Sequence, residues 1–150
     1  MPVKPIPDGY HSITPYIMVR GVGRLISFLK AAFDATEVLR AMKRPDGTIA
    51  HAEYRIGDSI LMMGEPMGKY VPMPATIHLY VDDADAVYER ALQAGATSIM
   101  EPTNQFYGDR SAGVKDSCGN IWWIATHTED VTPQELAKRA EAWVKEQRGG

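Results

Sequence analysis

The chain is short of most features that would give a role away. Only one of its 150 residues, Cys118, is a cysteine, so no intrachain disulfide and no cysteine-based zinc cluster can form. An excess of charge is lacking too: 16 Lys and Arg against 19 Asp and Glu leave a net charge of −3. That balance provides no electrostatic footprint for nucleic acid or an anionic membrane. Long apolar runs are missing as well. The longest, residues 121–125, is far too short to span a bilayer. The opening MPVKPIPDGYH has prolines where a signal peptide needs its apolar segment. Together these absences predict a soluble, cytoplasmic protein that binds neither nucleic acid nor membrane. Cys118 lies in a turn-like DSCGN with no helix N-terminus or basic pair to activate it. It reads as a small turn residue rather than a catalytic thiol.

What the chain does have is repetition. Alternating or β-rich runs cover 13–19, 37–42, 50–56 and 59–63, and again 76–81, 97–101, 109–114 and 121–125. Two amphipathic helices interrupt them. The first carries Leu25, Leu29, Ala32 and Phe33 on one stripe. The second carries Ala84, Val87, Tyr88, Ala91 and Leu92, with Asp82 or Asp83 as cap and Gly95 just past its end. Ala35-Thr36 recurs as Ala96-Thr97, Gly47 as Gly108 and Ile60 as Ile121, each 61 positions on. This predicts two βαβββ modules, about 10–64 and 75–127, joined by a linker over 65–74 and making one domain over 1–130. A third helix and tail follow over 131–150. Thr132, Pro133 and Glu135 form its capping box. Leu136, Ala140, Trp143 and Val144 give it an apolar stripe for the domain or a second subunit.

Neighbours in a strand point to opposite faces, and this separates two environments. Ile13, Pro15, Ile17 and Val19 oppose Thr14, Tyr16 and Met18, while Ala52, Tyr54 and Ile56 oppose His51, Glu53 and Arg55. Ile77, Leu79 and Val81 oppose Thr76, His78 and Tyr80. The apolar faces are expected under the helices, and the opposite faces line a cup if the modules curve around one space. Trp122 and Trp123 therefore serve different surfaces. Trp122 shares its face with Ile124 as core, and Trp123 faces the cup.

The segments PDGYHSITPYIMV, AAFDATEVLR, DGTIAHAEYRIGDSILMM, HLYVDDADAVYERALQAGAT, NQFYGDRSAGVKDSCGNIWWIATH and EDVTPQEL resemble the vicinal oxygen chelate superfamily. That superfamily holds glyoxalase I, fosfomycin-resistance enzymes, extradiol dioxygenases and bleomycin-resistance proteins. More narrowly, the chain resembles its PhnB-like branch. The resemblance implies an α+β fold in which two βαβββ modules form a cupped eight-stranded mixed sheet. Helices lie on its outer face, an extra C-terminal helix follows, and a homodimer is usual. It also implies one divalent metal in the family's enzymes. Carried over one at a time, the ligand positions fall on Thr14, Met62, Thr76 and Trp123. These are not the imidazoles and carboxylates such an ion needs, so the expectation is that no cofactor is bound.

The expected function is binding of a small, flat aromatic or apolar molecule. The contacts assigned are Tyr16, His51, Met62, His78, Tyr80, Tyr107, Arg110 and Trp123, of which Tyr107 and Arg110 belong either to a ligand-contacting loop or to a plain turn. The alternative is a lyase, isomerase or dioxygenase with a divalent metal on a shifted site of His51, Glu53 and His78. His78 and Glu53 are also the candidates for metal-free acid–base chemistry. Whether the chain is an enzyme stays open at this point.

Overall fold

In the computed structural model, which describes residues 2–149, each module folds as its residues predict. The first runs β1 (Tyr16–Met18), α1 (Val22–Phe33), β2 (Thr36–Lys43), β3 (Ile49–Ile56) and β4 (Ser59–Gly64). The second runs β5 (Thr76–Tyr80), α2 (Ala84–Gln93), β6 (Thr97–Asn104), β7 (Asp109–Lys115) and β8 (Ile121–His127). The strands form two mixed four-stranded sheets, ordered β1-β4-β3-β2 and β5-β8-β7-β6. In each, the short first strand pairs in parallel with the last, and the other pairs are antiparallel.

The helices cover the apolar side of the sheets and join the modules. Asp83 caps α2 through the Ala86 N–H, and Gly95 follows the helix at φ +105°, a backbone that L side chains avoid. Helix α1 buries seven of its residues, including Ile26 and Phe28 outside the expected stripe. Each buried side chain of Leu or Phe size contributes about 1.5–3 kcal/mol. The wide apolar surface of α1 arises because it meets both its own sheet and α2. Arg90 of α2 spans the junction, donating to both Asp34 carboxylate oxygens and to the Ala31 carbonyl. Phe33 of α1 reaches Trp122 with ring centroids 5.0 Å apart. Trp122 is 1% exposed, and its Nε1–H donates to Asp116 Oδ2 at 2.9 Å. It is core, as its alternation with Ile124 predicts.

One expectation needs correcting. The first strand starts at Tyr16, and Ile13, assigned to the buried face, is 86% exposed. Pro15 has no N–H for a ladder, and Thr14 turns its hydroxyl back to the His11 carbonyl at 3.1 Å. The extended pairing therefore cannot reach Ile13.

Helix α3 (Pro133–Gly149) begins at its capping residue, with the Glu135 N–H donating to Thr132 Oγ1. None of its described residues is buried. It is tethered at the side by Arg139, which bonds Glu129 and the Phe106 carbonyl, and by Trp143 on Phe106 at 5.6 Å between centroids. No described helix is long and apolar enough to cross a membrane.

Candidate functional site

The strand register sets equivalent rows of side chains across the two sheets, on the side away from the buried core strand positions. In the first sheet Leu39 pairs with Glu53, Glu53 with Met62, and Met62 with Tyr16. In the second, Met100 pairs with Gly113, Gly113 with Trp123, and Trp123 with His78. Tyr16 thus answers His78, Met62 answers Trp123, and Glu53 answers a glycine.

On the first sheet the row carries a polar network. Glu53 is 6% exposed. Its Oε1 accepts the Tyr10 hydroxyl, and its Oε2 lies 2.7 Å from His51 Nε2. The other ring nitrogen of His51, Nδ1, is 3.2 Å from the Tyr16 hydroxyl. Burial by itself would raise the Glu53 pKa, but the hydrogen bonds from Tyr10 and His51 outweigh it and hold the carboxyl below its ordinary range. The Tyr10 phenol is pushed up by its bond to that carboxylate. Gly64 leaves the space the network occupies, because a Cβ there would meet the Tyr16 hydroxyl at 2.7 Å and the Ala50 carbonyl at 2.5 Å.

On the second sheet the row opens into a cavity of about 470 Å³. His78, Ser111 and Trp123 form its floor. Met100, Gln105, Phe106 and Tyr107 come from β6 and the turn after it, and Trp143 adds to the lining from α3. Trp123 lies flat across Gly113, where a Cβ would stand 2.4 Å from Cζ3. The Phe106 and Tyr107 rings meet edge to face at 5.2 Å, as do His78 and Tyr80 at 4.9 Å. Such rings offer large rigid stacking surface, and Met100 adds an adaptable wall.

The assigned contacts therefore fall into groups. Tyr16, His51 and Met62 belong to the first row, and His78, Tyr107 and Trp123 to the cavity. Tyr80 instead donates to Asp109 Oδ2 at 2.8 Å, and a larger cleft of about 790 Å³ between the modules also touches it. That cleft is walled by Asp34, Asp58, Asp82 and Asp83 together with Phe33, His78 and Tyr80, and Arg90 spans it, so charged groups make up far more of its lining than of the smaller cavity's. Arg110 grips Asp85 of α2 with Nε and Nη2, at 2.6 and 2.9 Å, and Asn104 with Nη1. Its guanidinium is thereby committed to the helix side. His127 bridges Asp109 and Asp130, 2.8 Å from each, and these hydrogen bonds raise its pKa. Cys118 points at the Gly21 carbonyl, and burial pushes its thiol pKa up, which is the opposite of activation.

Sequence reasoning missed Tyr10, Met100, Gln105, Phe106, Ser111 and Trp143. Only Phe106, beside Tyr107 in NQFYGDR, and Trp143, in the apolar stripe of α3, carried a signal.

The donor set does not fit a divalent metal. Met62 and Trp123 bring a thioether and an indole to the rows, and Thr14 and Thr76 add only hydroxyls. Among the described residues no three His, Cys, Asp or Glu side chains converge in one chain to hold an ion. His51 and Glu53 meet, and His78 lies on the other sheet.

Paired βαβββ modules, each a four-stranded mixed sheet with its short first strand parallel to its last, define a glyoxalase-type fold. The profile of the glyoxalase/bleomycin resistance protein/dioxygenase superfamily matches residues 9–124, and the chain belongs to that family. It is 34% identical over 136 residues to an uncharacterised protein of Mycobacterium bovis, covering 83% of this chain and 89% of that one. An uncharacterised protein of Mycobacterium tuberculosis matches at the same 34% identity, with 79% of its length covered. Among solved structures, TioX from Micromonospora sp. ML1 superposes with a TM-score of 0.63 at 22% identity, covering 77% of this chain and 99% of TioX. The fosfomycin resistance protein FosX from Mesorhizobium loti gives 0.58 at 22% identity, covering 85% and 97%. These two likenesses concern the fold.

Proposed function

We propose that the protein is a PhnB-like member of the family that binds a small, flat aromatic or apolar molecule, in the cytoplasm and without a resident metal. One observation carries this reading: Trp123, laid across Gly113, forms the floor of a cavity that Phe106, Tyr107 and Trp143 also line. Interiors of this kind bind through apolar and aromatic surface with a few polar groups to orient the ligand, and His78, Gln105 and Ser111 supply those.

A homodimer is part of the proposal. Tyr16, Leu39, Met42 and Tyr80 are large side chains left 41–61% exposed on or beside the two rows. Exposed apolar area of this kind needs cover. A second copy that set the first-sheet row of one chain against the second-sheet row of the other would supply it and complete a cup.

The test is tryptophan fluorescence during titration with flat aromatic compounds, alongside metal analysis of the purified protein. Saturable quenching that weakens at least tenfold in Trp123→Ala, with no stoichiometric metal, is the expected result. A stoichiometric metal lost together from His51→Ala, Glu53→Gln and His78→Ala would instead establish the metal-dependent alternative.

A further inference from the structure

We propose that the first-sheet row is a metal-free proton-transfer site, with Tyr16 taking the proton of a weakly acidic hydroxyl carried by a flat aromatic ligand. This rests on the binding reading above for the class of ligand and for the shared cup.

The connectivity of the network sets the direction of the relay. A carboxylate only accepts, so His51 Nε2, 2.7 Å from Glu53 Oε2, carries the ring hydrogen. His51 Nδ1 then presents its lone pair, and the Tyr16 hydroxyl 3.2 Å away donates to it. Hydroxyl, imidazole and carboxylate thus follow one another as in nucleophile-activating triads, which are recognised by geometry rather than by sequence position. Tyr10 holds the remaining Glu53 oxygen, so the carboxylate cannot turn away.

The two ends of the network differ in a way a structural role does not require. Its Glu53 end is buried and its Tyr16 end is 47% exposed. Burying a carboxylate is costly even when it is paired. The fold itself does not demand one, because the equivalent position on the second sheet is Gly113.

The step is a proton transfer with no change of oxidation state. The ligand O–H bond breaks as its proton passes to Tyr16 Oη. The Tyr16 proton passes at the same time to His51 Nδ1. The resulting imidazolium is held by the Glu53 carboxylate, and the ligand oxyanion keeps a hydrogen bond from Tyr16.

The probe is 4-nitrophenol, at a pH below its own pKa. Tryptophan quenching reports binding, and the visible phenolate band reports deprotonation. The expected result is a phenolate-to-phenol ratio about tenfold higher for bound than for free probe, the size of a one-unit pKa shift. In Tyr16→Phe and His51→Ala, both at partly exposed positions, the ratio for whatever probe is bound should return to that of the free probe, whether or not the affinity read by quenching also falls. Quenching without extra phenolate, or extra phenolate that survives in both variants, overturns the inference and leaves the binding reading standing. Absence of quenching by this probe and by the wider set of aromatic compounds overturns both.

Discussion

Replacing Gly113 with alanine probes the contact on which the cavity depends. The glycine has no positive φ, so alanine fits the backbone, and a strand glycine exchanged for alanine would ordinarily gain about 0.5–1 kcal/mol. Here the added Cβ would lie 2.4 Å from Trp123 Cζ3 and 2.8 Å from Cε3. The indole must lift by about an ångström, and overpacking of this kind costs roughly 1–3 kcal/mol. At about 2–4 °C per kcal/mol for a domain of this size, the melting temperature should fall by a few degrees. The emission spectrum should change as Trp123 leaves its bed. The decisive arm is the double variant. In a Trp123→Ala background nothing remains for the methyl to strike, so Gly113→Ala should become neutral or slightly stabilising, with a coupling of about 1–3 kcal/mol between the two sites. An equal cost of Gly113→Ala in both backgrounds would refute the assigned packing.

Further outcomes follow from other parts of the molecule. Trp122→Phe leaves the buried Asp116 without its indole donor and opens a small cavity, so chemical denaturation should reveal a loss of about 2–4 kcal/mol. Trp143→Ala should lower the affinity for aromatic ligands several-fold yet leave thermal stability nearly unchanged, because no described residue of α3 is buried. The pKa of His127 is higher folded than unfolded, so its contribution to stability is full below the ordinary histidine value of about 6.5. That contribution is lost as pH rises through the folded-state value. His127→Gln should flatten this part of the stability–pH curve, and an unchanged curve would dismiss the Asp109–His127–Asp130 bridge.

The fold was legible because period-2 alternation and helix caps act locally. Asp83, Gly95 and Thr132 mark their helix ends with residues only a few positions away. The separation of Trp122 from Trp123 follows from strand geometry alone, and Trp122 is core while Trp123 lines the cavity. What was not legible depends on distant partners. Ile13 matches a strand pattern, yet Pro15 ends the pairing before it. Tyr10 joins Glu53 across 43 positions, and Trp143 reaches Phe106 from a helix outside the repeat. Arg110 reads from sequence as part of either a ligand-contacting loop or a plain turn, and its ion-pair partner Asp85 lies out of local view on α2, 25 residues earlier. The equivalence of Glu53 with Gly113 required the strand register, which places them 60 positions apart where the visible repeat runs at 61.

The most direct test of the central claim is a crystal structure of the protein soaked with the aromatic compound that quenches it best. The account predicts the compound stacked on Trp123 between His78 and Trp143, with no metal ion beside it. A divalent ion coordinated by His51, Glu53 and His78, or a compound lying away from Trp123, would contradict it.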